Sequence, residues 1–163
     1  MTGLSPDFHD FIVLLNEHKV ECVLVGGHAL SVHGVIRATG AIDFLYRRTP
    51  KNVQRLVAAM MEFGAPVNVL DEDALMTAGI VTQFGTPPQR IDLLNAIDGV
   101  TFPAVWKGAM TVTADGQRIS VIGLKELRTN KAATGRKKDA EDVRRLQERA
   151  PRKTPKARSP RRR

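Results

Sequence analysis

The 163-residue chain contains one cysteine, Cys22, so no disulfide can form within it. Set in an apolar run, that cysteine reads as a small buried hydrophobe. No stretch approaches the roughly 18 consecutive apolar residues of a membrane helix, so no membrane partner is expected. The first ten residues hold two acids and no base, unlike a secretory signal, which makes cytoplasm the expected compartment. Neither a Gly-x-Ser-x-Gly nor a Walker lysine motif occurs, so serine-hydrolase and P-loop chemistry have no support. With one cysteine and four scattered histidines, and with His28 and His33 five apart rather than four, a zinc site is not expected.

Acids are missing from one region in particular. Residues 149–163 carry eight Lys and Arg residues and no Asp or Glu. Of 25 bases in the chain, 17 therefore remain in residues 1–148, equal to the 17 acids there. The formal net charge of +8 belongs entirely to the terminal segment. Pro151, Pro155 and Pro160 punctuate it and it has almost no apolar residues, so it is expected to be a disordered basic tail. It either holds RNA or another polyanion through phosphate contacts or serves as a solubilising terminus. Lacking aromatic residues for base stacking, it would bind without sequence preference.

What remains, residues 1–148, has the composition of one folded domain. Hydrophobic residues make up 42% of the chain and charged residues 26%, both ordinary for a globular protein. Ser5-Pro6-Asp7 starts a helix, with Phe8, Phe11, Ile12 and Leu15 on one face. Glu21–Val25 reads as a strand running into Gly26-Gly27, and Ala29–His33 as a short helix. Ile42–Tyr46 reads as a second strand and Thr49-Pro50 as the start of a longer helix ended by Gly64. Val67–Leu70 is expected to be a short strand and Asp71 to cap a helical turn. Ile80–Phe84 and Arg90–Leu94 read as strands. Met110–Thr113 and Arg118–Ile122 flank Ala114-Asp115-Gly116-Gln117, a hairpin signal. Phe102 and Trp106 read as core. Gly123–Ala133 and Asp139–Glu148 read as helices, the second with Ala140, Val143 and Leu146 in register. Helices at both ends of a mostly β centre indicate an α/β or α+β fold.

Three features carry chemistry. Val25-Gly26-Gly27 takes a strand straight into a helix; glycines allow close backbone approach, and a helix start offers free N–H groups to phosphate. Taken alone, it is equally a plain tight turn. Ala41-Ile42-Asp43-Phe44 puts a carboxylate in an apolar strand, with positions 41 and 43 on one face. Ile91-Asp92-Leu93 repeats this on another strand. A carboxylate among apolar neighbours needs a metal, a base or a hydrogen-bond donor. Two such acids suit Mg²⁺, a hard cation that prefers oxygen ligands.

In this order the motifs resemble the nucleotidyltransferase superfamily with the polymerase-β-type fold. That family shows Gly-Gly or Gly-Ser after a hydrophobic residue, a spacer of about a dozen residues, Asp-h-Asp on one strand, and a third Asp on a later strand. Within it, the chain resembles the bacterial stand-alone group related to AbiEii toxins of abortive-infection and toxin–antitoxin systems. The stretches that carry this are Leu24-Val25-Gly26-Gly27-His28-Ala29-Leu30, Arg37-Ala38-Thr39-Gly40-Ala41-Ile42-Asp43-Phe44, and Asn130-Lys131-Ala132-Ala133-Thr134-Gly135-Arg136-Lys137-Lys138-Asp139. The resemblance covers about residues 8–148. It implies a mixed β-sheet flanked by helices, with further helices at the C-terminus. It also implies Mg²⁺-dependent transfer of a nucleoside monophosphate from an NTP, such as ATP, to a hydroxyl, with release of pyrophosphate. The acceptor would be RNA, such as the 3′ end of a tRNA, or a protein, and a cognate toxin or antitoxin would be a partner.

The site residues that the resemblance implies are Gly26 and Gly27 at the triphosphate, Asp43 and Asp92 as catalytic metal ligands, and Asp92 as a base. Arg37 with Thr39 would reach the nucleotide phosphates, or Arg37 is a surface arginine. Lys131 and Arg136 would reach the triphosphate or an RNA acceptor, or they are a solvated helix end. His28 either lines the nucleotide pocket or is a helix-start residue. One position departs from the pattern. The first catalytic aspartate of the family falls on Ala41, which cannot ligate anything, so the two-metal site is weakened and the chain is expected to be inactive or impaired. Either it is a degenerate member or it is a working enzyme silenced at this position. The alternative is a non-catalytic nucleotide-binding or antitoxin-like interaction module.

Overall fold

A computed structural model describes residues 3–149 of the chain. The basic tail expected over 149–163 lies outside the described residues apart from Arg149, where the last helix ends.

Ser5 and Pro6 start α1 (Pro6–Glu17): the Ser5 hydroxyl accepts the Phe8 N–H at 3.2 Å and Pro6 sits in the first turn. There follow β1 (Cys22–Val25), α2 (Gly26–Val32), β2 (Ala41–Tyr46) and α3 (Pro50–Phe63). Thr49 caps α3 as Ser5 caps α1, and Gly64 closes it. A 3₁₀ turn (Val67–Val69), α4 (Glu72–Met76), β3 (Thr82–Phe84), β4 (Arg90–Leu94) and α5 (Phe102–Gly108) come next. The hairpin of β5 (Met110–Ala114) and β6 (Gln117–Val121) then leads to α6 (Leu124–Ala133) and α7 (Lys137–Arg149). Asp115 and Gly116 hold the hairpin turn with φ of 49° and 81°. Two successive positive φ angles are what a two-residue hairpin turn of the right twist requires.

The six strands form one mixed sheet in the order β3-β4-β2-β1-β6-β5. The pairs β2·β4 and β1·β6 are parallel, and β1·β2, β3·β4 and β5·β6 are antiparallel. Side chains alternate across a strand, so β2 faces two ways. Phe44 meets Phe11 of α1 with ring centroids 6.1 Å apart, and Phe11 also meets Phe63 of α3 and Phe84 of β3 at 5.2 and 5.7 Å. These rings anchor the α1–α3 layer on one side of the sheet. Asp43, the neighbour of Phe44, turns to the side where α6 and α7 lie.

Three expectations need correction, and one helix was not expected. Val67–Val69 is a 3₁₀ turn rather than a strand; Val67 is exposed, and its carbonyl and that of Pro66 accept the amides of Leu70 and Val69, so no strand partner is engaged. Trp106 is exposed rather than core, whereas Phe102 is half-buried and packs against the core. They stack at 5.7 Å on α5 near the surface, with the Arg47 guanidinium 4.7 Å from the Phe102 ring centroid. Residue 140 on α7 is exposed, and the helix buries Asp139, Asp142 and Leu146 instead. α5 itself was not anticipated, although Thr101 caps it and Pro103 stands in its first turn.

A buried asparagine ties three elements together. Asn52 of α3 accepts the Glu21 N–H at 2.8 Å and donates to the carbonyls of Glu21 and Arg47 at 3.0 and 2.8 Å. Removing a buried partner leaves backbone groups unsatisfied, at about 1–3 kcal/mol each time. Asn52→Ala is therefore expected to lower unfolding stability by about 2 kcal/mol, read as a lower midpoint in urea with unchanged slope.

Candidate functional site

The site begins with strand register. β2 and β4 run parallel with Ala41 opposite Arg90 and Asp43 opposite Asp92. Alternation puts all four side chains on one face, as a two-by-two patch. β2 lies inside the sheet, so Asp43 is not a solvated edge acid. Asp92 is buried, and Arg90 holds both its oxygens, Nε to Oδ1 at 2.7 Å and Nη2 to Oδ2 at 2.9 Å. Asp43 has no such partner. Burial first, then the charge of Asp92 and a shared hydrogen bond with it, push the Asp43 carboxyl up to about 7, against a smaller pull from Arg90 and Lys131. A carboxyl in that range can give or take a proton near neutral pH.

β1 lies beside β2 with Val25 opposite Asp43, so the chain leaves β1 at the patch and turns into α2 there. Gly26 has φ of 73°, and a Cβ built on it would lie 2.2 Å from Asp43 Oδ2. Both the dihedral and the contact demand glycine. A Cβ on Gly27 would lie 2.9 Å from the Thr39 Cβ. Thr39 is itself fixed by its hydroxyl, which donates to the Ala41 carbonyl at 3.0 Å.

The third wall comes from the C-terminal helices. Lys131 at the end of α6 donates to Asp139 Oδ1 at 3.1 Å and lies 3.7 Å from Asp142 Oδ2. Asp139 Oδ2 also accepts from the Thr134 hydroxyl at 2.7 Å and from Arg136 Nε at 2.8 Å. Arg37, from the loop before β2, pairs with Asp142. Two buried carboxylates on one face of α7 thus hold three cations from three separate segments. Burial alone would raise the Asp139 carboxyl, but the Thr134 and Lys131 hydrogen bonds and the charges of Lys131 and Arg136 outweigh it and hold it low. Together these walls enclose a cavity of about 440 Å³. Cations fixed around glycine backbone beside a carboxyl pair can take a phosphorylated ligand.

Of the residues singled out by sequence, Gly26, Gly27, Arg37, Thr39, Asp43, Lys131 and Arg136 line this one cavity. Ala41 and Asp92 share the patch with Asp43. His28 is not brought to the cavity. Its ring stands edge-on to Phe8 at 5.5 Å and lines a separate depression with Ser5 and Pro88. Burial there holds its pKa below the usual imidazole range. The sequence reading missed Arg90, Asp139 and Asp142. Arg90 stands two residues before Asp92, which puts it on the same strand face; Asp139 and Asp142, three apart, share a helix face.

The two-metal set does not fit these residues. Ala41 has no donor atom, and both oxygens of Asp92 are engaged by Arg90. Among the described residues, no three His, Cys, Asp or Glu side chains gather where they could hold a metal ion.

A family model described as nucleotidyltransferase of unknown function, DUF6036, matches residues 8–147. The chain belongs to that family. It is similar in structure to a candidate nucleotidyltransferase from Thermotoga maritima, with a TM-score of 0.58 and 15% identity, over 86% of this chain and 90% of that one. That likeness shows the nucleotidyltransferase fold expected from the sequence. ANT(2″)-Ia, solved in complex with adenylyl-2″-tobramycin, has a TM-score of 0.48 and 12% identity over 88% of this chain and 96% of its own. No curated protein matches the sequence. Family membership makes nucleotidyl transfer the reaction class of the fold. Among the described residues no helix is long and apolar enough to cross a membrane.

The raised carboxyl has a measurable consequence. An aspartate titrates near 4 in the unfolded chain, and Asp43 near 7 in the folded one. The folded state thus holds this proton more tightly, and stability falls as pH rises between these values. Asp43→Asn removes that loss. The variant is expected to melt several degrees above the parent at pH 8 and together with it near pH 4, as read by thermal denaturation across pH.

Proposed function

We propose that the cavity binds the triphosphate of an NTP and that the chain is a nucleotidyltransferase impaired at position 41. What carries this reading is the convergence of the Gly26-Gly27 turn, the Asp43 carboxyl and the cations Arg37, Lys131 and Arg136 on one cavity in a chain of this family. The close-packed glycines let a phosphate chain approach the backbone, and the N-terminal amides of α2 have no partner within the helix. Arg37, Lys131 and Arg136 are preorganised by Asp139 and Asp142, so little side-chain entropy is lost when phosphate oxygens replace water. Asp43, with its pKa near neutrality, receives the proton of the attacking hydroxyl. Full activity needs a carboxylate at position 41, and Mg²⁺ is the cofactor that such a restored set would bind.

The acceptor we assign is a hydroxyl on RNA, with the eight bases of residues 149–163 attracting the phosphate backbone. The likeness of residues 24–30, 37–44 and 130–139 to AbiEii-type chains makes a toxin–antitoxin pair the biological setting of this proposal. A second reading, a nucleotide-binding module without turnover, is favoured by one observation: Arg90 neutralises Asp92, the other carboxylate of the patch.

A paired label-transfer assay separates the two readings. This chain and Ala41→Asp are incubated with each α-labelled NTP, Mg²⁺, total tRNA and cell lysate. Label appearing on RNA with the variant, at least about tenfold over the parent chain, is the expected outcome. Label on protein would move the acceptor class. An absence of label from both chains, with nucleotide binding intact, would refute the impaired-enzyme reading and leave the binding module.

A further inference from the structure

We propose that Arg90 is a built-in cation that stands in for a divalent metal, so that the cavity binds an NTP without any metal ion. The inference rests on the nucleotide reading above and concerns how the same cavity receives negative charge. It comes from the two-by-two patch. Phosphate oxygens entering the cavity meet the Asp43 carboxyl, with buried Asp92 behind it, and approach is unfavourable unless a cation lies between. Arg90 is placed to be that cation. It is anchored by two N–H groups on Asp92 and lines the cavity with Gly26 and Lys131. A guanidinium has five N–H donors, and Arg90 has no other hydrogen-bond partner among the described residues. Three donors remain for a ligand, and its side chain is 32% exposed on the cavity wall.

Ala41 is the other half of the device. It faces Arg90 across the parallel ladder, where adjacent strands lie about 4.8 Å apart. An aspartate there would stand beside the guanidinium, claim its free edge and add a negative charge to the patch. A methyl group does neither. The departure at position 41 and the arginine at 90 thus act together: one withdraws a metal ligand and adds no competing acceptor, and the other, with Asp92 offset, presents its three remaining N–H donors to the ligand. An arginine is also suited to the task, since its planar fork matches two phosphate oxygens at once and it stays charged at any relevant pH.

The test is calorimetric titration of the full chain with ATP, GTP, CTP and UTP, in EDTA and in excess Mg²⁺. For the preferred nucleotide, Kd in EDTA is expected to lie within about threefold of Kd in Mg²⁺. Arg90→Gln should weaken binding in EDTA by about tenfold or more, and Arg90→Lys, which keeps the charge but loses the planar fork, by an intermediate amount. Ala41→Asp should reverse the preference, binding poorly in EDTA and regaining affinity with Mg²⁺. It tests the idea independently if Arg90→Gln does not fold, which circular dichroism would reveal. Binding that requires Mg²⁺ in the parent chain would overturn the inference and leave the nucleotide site standing. Full affinity in EDTA after Arg90→Gln would overturn the role of Arg90. Absence of nucleotide binding under both conditions would overturn the inference and the nucleotide reading together.

Discussion

Asp43 and Asp92 stand side by side because β2 and β4 are hydrogen-bonded in parallel, in a register that also sets Ala41 beside Arg90. That ladder is the constraint on which the cavity depends. A slip of β4 by one residue against β2 would turn Arg90 and Asp92 away from Asp43, into the layer occupied by Phe11 and Phe63. The register is enforced from behind by the aromatic packing of Phe44 against α1 and of Phe84 against both helices. The apolar face therefore positions the polar one. Antiparallel pairing of β1 with β2 then brings Val25 opposite Asp43 and delivers the glycine turn to the same place.

Charge in the cavity is arranged by burial. Asp139 and Asp142 are almost wholly inaccessible on α7, where an unpaired carboxylate would be costly, and each has cations beside it. The cost of burying those acids is offset only when Lys131, Arg136 and Arg37 are in place. The two helices and the loop before β2 are thereby tied to one geometry, with the cations at the cavity wall. Asp43 shows the opposite case. It is half-buried beside another acid with little compensation, and its pKa rises toward neutrality as a result. Two environments a short distance apart thus hold one carboxyl low and another high, which is the usual sign of a functional rather than a packing role.

Much of this was legible in the chain. Ser5, Thr49 and Asp71 announce helix starts, and the Asp115-Gly116 pair announces a hairpin, because capping and turn chemistry act over three or four residues. The glycine pair and the strand acids pointed to the nucleotidyltransferase superfamily, and the family model and the fold agree with that coarser reading. Other parts were not legible. Trp106 lies at the surface, with Arg47, distant in sequence, 5.5 Å from its ring centroid. His28 faces Phe8 rather than the cavity, because α2 starts at Gly26 and sets its rotation. Asp142 went unremarked in the sequence because its partner Arg37 lies more than a hundred residues earlier.

The sequence by itself determined the local grammar and the departure at position 41, since a missing carboxylate is a fact of covalent structure. It also determined where the positive charge lies along the chain. Only the tertiary structure decided that Arg90 faces Ala41 and holds Asp92, that α7 buries acids rather than Ala140, and that seven separated residues share one cavity. The physical reason is range. Propensity, capping and alternation are set by near neighbours, whereas burial and pairing of charge depend on which strands lie side by side, and that is settled only when the whole sheet has formed.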